Sequence, residues 1–306
     1  MVGRGPGSRA AVRIVVAGWP SFVDGEATAG DLLAMARVAE ALRGPGRRVE
    51  QLFSPVLDAA AESATSVDPH GCSLLVFACG PVRGRQVAAL HERFAAARRI
   101  AVGVSVPDPA DPAATGFDRI LARDTGGSPA ATADLCRHAP DPLPVPVVGV
   151  VLAPGQPEYG DRRRHDAVHT ALEDWLTGLD AARLPLDTRV DPRDWRHAAT
   201  ADQFRAVLER LDVVVTTRLH GLVLGLRAGV PVLAVDPVAG GAKVAAQGRV
   251  LGWPVLDADD VTGPCGRATL DQAWRWCTDA AGRARTLAAG RGTDPVLTAL
   301  QEETAG

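Results

Sequence analysis

The sequence predicts an α/β protein made of two open domains, each with a parallel β-sheet. Short continuous apolar runs rich in Val, Ile and Leu alternate with stretches rich in Ala and Leu. Continuous runs are typical of strands buried on both faces, and regular β–α alternation is typical of a parallel sheet. Four prolines interrupt residues 138–149, after which a new β–α series starts. Because proline stiffens an extended chain and excludes helix, this segment predicts a domain boundary.

The first predicted domain covers residues 1–142, of which we expect the first nine to be disordered. Its apolar runs predict strands at residues 12–17, 74–78 and 100–106. Its Ala- and Leu-rich stretches predict helices at residues 31–43 and 86–99.

The second predicted domain covers residues 143–306. It starts with a strand at 147–152, and further strands are expected at 213–216 and 232–235. Helices are predicted at residues 166–177, 201–211 and 219–228. Gly229 and Pro231 end the last of these helices and lead into the next strand.

Charge and hydropathy exclude several classes of protein. The 33 basic and 36 acidic residues give a formal net charge of −3, so there is no overall basic field for nucleic acid. The N-terminus has no apolar signal core, and the apolar runs are too short to cross a bilayer. The five cysteines form no C-x-x-C pair, so neither a disulfide framework nor a cysteine metal site is expected. We therefore expect a cytoplasmic protein without a transmembrane segment.

Residues 211–236 carry the clearest sign of a binding site. Thr216, Thr217, Arg218 and His220 fall at the end of a predicted strand and in the first turn of the next helix. Free backbone N–H groups and the positive end of the helix dipole favour an anion there. Arg218 adds a planar donor, and His220 can transfer a proton. The same pattern also fits a helix cap beside a surface cation and a partly buried histidine.

Lys243 is a second candidate, since it is the single lysine beside 32 arginines. A compact ammonium in such a sequence indicates a point charge that Arg would not replace. Gly240 and Gly241 precede a helix that starts near Lys243, which predicts a second helix start open to an anion. A solvated lysine after a flexible turn is the alternative.

His165 and His169 lie one helical turn apart, as in zinc-protease helices. However, Asp166 stands where that motif has Glu, and Arg162 to Arg164 would repel a divalent cation. We therefore expect a solvated helix face and no metal site.

The segment TTRLHG, the following GLRAGVPVLAVD and the downstream Lys243 resemble the polysaccharide pyruvyl transferase family. Arg123-Asp124 followed by Ser128 is similar to an Arg-Asp-Ser element of that family. Gly30-Asp31 at the start of a helix is similar to its Gly-Asp element.

The resemblance implies two Rossmann-like domains facing across a cleft in a GT-B-like arrangement. It also implies transfer of the pyruvyl group of phosphoenolpyruvate onto two sugar hydroxyls as a ketal, with release of phosphate. The first domain would be the acceptor side and the second the donor side, with the terminal helix packing back on the first domain. The partners would be this small-molecule donor and a sugar or glycan-precursor acceptor, with no metal or further cofactor.

Carried over by motif, the residues of the phosphoenolpyruvate site would be Arg123, Arg218, Leu219, His220, Lys243 and Thr217. His220 is the candidate acid that protonates the donor, and Asp31 the candidate base or orienting group. Two other functions stay open on the sequence. One is a glycosyltransferase with a nucleotide-sugar donor, and the other is a non-catalytic relative in a biosynthetic pathway.

Overall fold

The computed structural model describes residues 11–23, 27–125, 131–141, 143–289 and 295–304. The chain divides into two compact units, Met1–Pro142 and Leu143–Gly306. Each unit contains a five-stranded parallel sheet with helices packed on both faces, so the predicted α/β class is confirmed. The nine N-terminal residues predicted to be disordered, and Ser128, lie outside the described residues. None of the described helices is both long and apolar enough to span a bilayer.

The sheet of the first unit has the order β2-β1-β3-β4-β5, with every neighbouring pair parallel. Its strands are β1 (Val12–Ala17), β2 (Arg47–Gln51), β3 (Cys72–Ala78), β4 (Arg98–Val106) and β5 (Arg119–Thr125). Its helices are α1 (Ala29–Leu42), α2 (Gly84–Arg93) and α3 (Pro112–Thr115).

Side chains of β1 alternate between two apolar cores, one on each face of the sheet. Val15 packs into one core with Val87 and Leu90 of α2, whereas Val16 packs into the other with Met35 of α1. Because both faces are covered, an uninterrupted apolar run is the pattern such a strand needs.

The predicted helix at residues 86–99 is shorter in the structure. It ends at Arg93, and β4 begins at Arg98, earlier than the apolar run indicated. Arg98 pairs with Leu74 and Arg99 with Leu75 of β3, so pairing with an apolar neighbour extends the strand over two charged residues.

The sheet of the second unit has the order β10-β9-β8-β6-β7 and is also parallel throughout. Its strands are β6 (Val147–Val151), β7 (Ala182–Pro185), β8 (Val213–Thr216), β9 (Val232–Asp236) and β10 (Val255–Asp257). Its helices are α4 (His165–Thr177), α5 (Ala201–Leu208), α6 (Leu219–Arg227), α7 (Lys243–Leu251), α8 (Ala258–Thr262), α9 (Gly266–Thr278), α10 (Ala280–Ala289) and α11 (Pro295–Thr304).

Counted along each unit, both sheets have the doubly wound strand order 2-1-3-4-5. In the first unit α1, after β1, and α2, after β3, cover opposite faces. In the second unit α4, after β6, and α6, after β8, do the same. In such sheets ligands bind beyond the carboxyl ends of the strands where the winding reverses. These switch points lie between β1 and β3 and between β6 and β8.

Candidate functional site

The hydroxyl groups of two threonines connect the carboxyl end of β8 to that of β6 by hydrogen bonds. The Thr216 hydroxyl donates to the Val151 carbonyl at 2.7 Å. The Ala153 N–H donates to Oγ1 of Thr217 at 2.8 Å. Both threonines are buried. The Thr217 hydroxyl therefore has a structural role, because it holds the loop after β6. Its predicted contact with a ligand stays a prediction.

Arg218 follows these threonines and is the N-cap residue of α6. Its backbone N–H donates to Oγ1 of Thr216 at 2.9 Å, while its guanidinium forms an ion pair with Asp187. Nη1 takes part in that pair, and within the described residues the other guanidinium nitrogens form no hydrogen bond that would compete with a bidentate ligand.

Asp187 was missed by the sequence analysis. Partial burial opposes its ionisation, but the Arg189 N–H and the Arg218 guanidinium outweigh this and lower the pKa of the carboxyl. One signal was present, because Asp187 lies two residues beyond the end of β7, and β7 is parallel to β6, so its carboxyl end lies at the same edge of the sheet.

Leu219 and His220 form the first turn of α6. Leu219 is half-buried and packs against the core on that face, whereas His220 is exposed. No hydrogen bond joins the His220 ring to another side chain in the part of the chain that the structure describes. His220 can therefore turn toward a ligand held by Arg218.

The helix start lies unusually close to the strand because residue 221 is glycine. A Cβ on Gly221 would come within 2.2 Å of Oγ1 of Thr216. Any larger residue would push α6 away from β8 and would displace Arg218 and His220 with it.

Two histidines of α4 lie near the carboxyl end of β8. They do not lie on the solvated helix face that the sequence predicted. Nε2 of His169 is 3.2 Å from Oγ1 of Thr217. His165 is fully buried, and neither ring nitrogen has a partner among the described residues. Burial lowers the pKa of both imidazoles, so both are neutral near pH 7. The described residues contain no group of three or more His, Cys, Asp or Glu side chains arranged to hold a metal ion.

The start of α7, expected to be open to an anion, is already occupied by Asp236. Oδ2 of this buried carboxylate accepts the Ala242 N–H at 2.7 Å and the Ala245 N–H at 2.8 Å. The expectation was wrong at this point because a carboxylate at the end of β9 already accepts from the N-cap N–H and from one N–H of the first helical turn, and its charge takes the place of an anion there.

Lys243 is exposed, and its Nζ lies 5.8 Å from the centre of the Tyr159 ring. The guanidinium carbon of Arg162 lies 5.9 Å from the same ring. Two cations next to one aromatic ring form a positive patch beside the carboxyl end of β9. An anion there would have both cations near it.

Arg123 belongs to the first unit, where it already has partners on every guanidinium nitrogen. Nε donates to Asp124 at 2.8 Å, Nη2 donates to Oγ of Ser105 at 2.7 Å, and Nη1 bonds Asp134. The hydrogen bonds that Asp124 and Asp134 accept from Arg123 raise the pKa of its guanidinium. Its role toward phosphoenolpyruvate stays a prediction, and a ligand would have to share the guanidinium with these carboxylates.

Asp31 has a local role in the first turn of α1. Its Oδ2 accepts from the Thr28 N–H at 3.1 Å and the Thr28 hydroxyl at 2.8 Å, while its own N–H donates to Oγ1 of Thr28 at 3.2 Å. This reciprocal arrangement is a capping box. Asp31 and Arg123 both act electrostatically on the buried Cys79 thiol, so they lie in one region of the first unit.

The predicted site residues therefore form two groups. Thr217, Arg218, Leu219 and His220 lie together at the switch point of the second unit, and Lys243 follows the adjacent strand β9. Asp31 and Arg123 lie together in the first unit.

A family model for polysaccharide pyruvyl transferase matches residues 154–237. The matched range contains β8, Arg218, His220 and Asp236, so the resemblance drawn from TTRLHG is confirmed there. The match supports a transferase of this general kind.

No curated protein matches the sequence. Among solved structures, the glycotransferase of kitacinnamycin is 16% identical, with 92% of this chain and 94% of that chain covered and a TM-score of 0.32. Spinosyn forosaminyltransferase SpnP is 13% identical, with 96% and 100% covered and a TM-score of 0.34. The glycosyltransferase SnogD from Streptomyces nogalater is 15% identical, with 92% and 94% covered and a TM-score of 0.28. These TM-scores are too low to support an argument about this chain.

Proposed function

We propose that the protein transfers the pyruvyl group of phosphoenolpyruvate to two hydroxyls of a sugar, forms a cyclic ketal and releases phosphate. The observation that carries the proposal is the position of Arg218 and His220. Both lie at the switch point of the second sheet, inside the range matched by the pyruvyl transferase model.

Phosphoenolpyruvate carries a phosphate and a carboxylate, so its site needs at least two cations. Arg218 supplies a guanidinium that Asp187 orients through Nη1. Lys243 and Arg162 supply the positive patch after β9. A guanidinium suits a bidentate oxyanion and an ammonium suits a point contact to phosphate.

His220 would supply the proton that starts the reaction. Protonation of the terminal methylene carbon gives a methyl group and leaves an oxocarbenium-like centre at the adjacent carbon. The first sugar hydroxyl attacks that centre and loses its proton to a base, for which Asp31 remains the candidate. The second hydroxyl then displaces phosphate from the same carbon and gives its proton to His220, which restores the acid, while the proton held by the base leaves with the phosphate.

A thermal-shift titration tests donor binding. A ligand that binds only the folded state stabilises it by about 2.7 kcal/mol at a concentration of 100 Kd, so phosphoenolpyruvate should raise Tm. Arg218→Ala should abolish the rise, and Arg218→Lys should keep part of it because charge is retained. The exposed Arg227→Ala at the far end of α6 is the matched control and should behave as wild type.

Nucleotide sugars should leave Tm unchanged in the same assay. If they stabilise the protein and phosphoenolpyruvate does not, the proposal is wrong and a nucleotide-sugar glycosyltransferase takes its place.

A further inference from the structure

An open cavity of about 980 Å³ lies in the first unit, at the switch point of its sheet. Trp19, shortly after β1, and Arg83, shortly after β3, line it together with Phe22, and the lining continues along α2 to its last residue, Arg93. It therefore occupies the place where a doubly wound sheet binds ligands. The residues predicted for phosphoenolpyruvate do not line it.

Trp19 is held rigidly in the cavity wall. Its Nε1 donates to the Pro81 carbonyl at 3.2 Å, and its ring meets Phe22 edge to face at 5.6 Å between centroids. Gly80 has a φ of +69°, and a Cβ there would come within 2.1 Å of the Trp19 ring. Glycine is thus required both by the backbone and by the close approach of the indole. A ligand that packs on this aromatic surface would order no mobile side chain.

The charged residues of the cavity are mostly basic. Arg83, Arg85 and Arg93 line it against a single acid, Glu92. Arg93 is anchored by bonds to the Val67 carbonyl. Arg83 and Arg85 are exposed, and neither forms an ion pair within the described residues. Free guanidinium groups at a cavity wall favour an anionic oxygen group, which they bind bidentately.

Polar side chains complete the lining. Thr65 and Gln86 offer a hydroxyl and an amide to the same space. Neutral donors and acceptors beside an aromatic surface suit a hydroxylated ring, because such groups fix the orientation of a ligand whose body packs on apolar surface.

We propose that this cavity binds the acceptor as an acidic sugar, with the sugar ring against Trp19 and a phosphate or carboxylate on Arg83 and Arg85. The inference rests on the proposed function, because that reaction requires a sugar acceptor. It names the chemical class of that acceptor and the residues that select it.

Isothermal titration of the full chain without phosphoenolpyruvate tests the cavity directly. The probes are glucose 6-phosphate, glucuronic acid, glucose and inorganic phosphate. At least one acidic sugar should bind about tenfold or more tightly than glucose and than inorganic phosphate, because charged hydrogen bonds and ring packing both contribute. The tighter of the two acidic sugars identifies the acid group.

Variants assign the binding to the cavity. The double change Arg83→Ala and Arg85→Ala should weaken the acidic sugar about tenfold or more, whereas the exposed Arg43→Ala of the same unit should not. Trp19→Phe should weaken it less than Trp19→Leu, since an aromatic ring is retained. Circular dichroism verifies that each variant is folded.

Three results would overturn the inference: no binding of either acidic sugar, equal binding of glucose or inorganic phosphate, or wild-type binding by the double arginine variant. The double variant should keep the Tm rise with phosphoenolpyruvate, and Arg218→Ala should keep sugar binding. Failure of the donor site and failure of this cavity are therefore measured separately.

Discussion

At the scale of single residues, Asp187 limits the positive charge that Arg218 offers to a ligand. The two side chains form an ion pair while about a quarter to a third of each stays exposed, 26% for Arg218 and 34% for Asp187. The carboxylate orients the guanidinium, but its charge also repels an incoming phosphate or carboxylate. Asp187→Asn should separate these effects, since Asn keeps an acceptor oxygen and loses the charge.

We expect Asp187→Asn to lower the Kd for phosphoenolpyruvate several-fold. The reason is that the substitution removes about 1 kcal/mol of repulsion between the carboxylate and the anionic ligand at this partly exposed site. Isothermal titration against wild type measures the change. Weaker binding by Asp187→Asn would show that the negative charge itself is needed.

His165 gives a second prediction at this scale, for stability against pH. Burial lowers the pKa of His165 below the value of about 6.5 that the unfolded chain has. Between those two pKa values the unfolded state binds more protons, so the free energy of unfolding falls as pH drops below about 6.5. His169 and His91 have lowered pKa values for the same reason and add to this fall.

His165→Leu should make the loss of stability between pH 6.5 and 5 shallower, as measured by urea unfolding at several pH values. His70→Leu, which changes an exposed histidine, is the matched control. An unchanged slope in His165→Leu would mean that the buried imidazole does not resist protonation.

At the scale of elements, the contact between α6 and β8 sets the position of the candidate site. Gly221→Ala would place a methyl group 2.2 Å from Oγ1 of Thr216, so strain should reduce the free energy of unfolding by about 1–3 kcal/mol. Gly30→Ala is the matched control, because it lies in the first turn of α1 with only ordinary contacts. Denaturant unfolding of both variants tests this, and equal stability would show that α6 can move at no cost.

Central elements were predictable from sequence, and edge elements were not. β1 and β8 were predicted with their observed ends because residues 14–17 of β1 and all four residues of β8 are buried and either apolar or small. β2 and β10 lie at sheet edges; β2 reads RRVEQ, a pattern that shows no buried face, and β10 has only three residues.

The site was predicted in part for a similar reason. Arg218 and His220 could be found because strand, turn and helix start follow each other in the chain. Asp187 and His169 act through contacts across 31 and 48 positions of sequence, which periodicity does not encode. The Asp236 carboxylate lies at the start of α7 because it accepts hydrogen bonds from N–H groups six and nine residues later in the chain.

At the scale of the whole molecule, the chain contains one strand order twice. Each sheet has the order 2-1-3-4-5, and each switch point has its own chemical character. That of the second unit presents Arg218 and His220, and that of the first unit presents Trp19 with Arg83 and Arg85. Under the two proposals, the second unit would bind the anionic donor and the first unit the acidic sugar.

The most direct test of pyruvyl transfer is product analysis by mass spectrometry. The protein is incubated with phosphoenolpyruvate and a panel of neutral and acidic sugars, and released phosphate is measured in parallel. The account predicts a sugar whose mass has increased by one pyruvyl ketal, with phosphate released in equal amount, and no such product with His220→Ala. Two results would contradict it. One is that no sugar is modified although the panel includes sugars that the protein binds, and the other is undiminished product with His220→Ala.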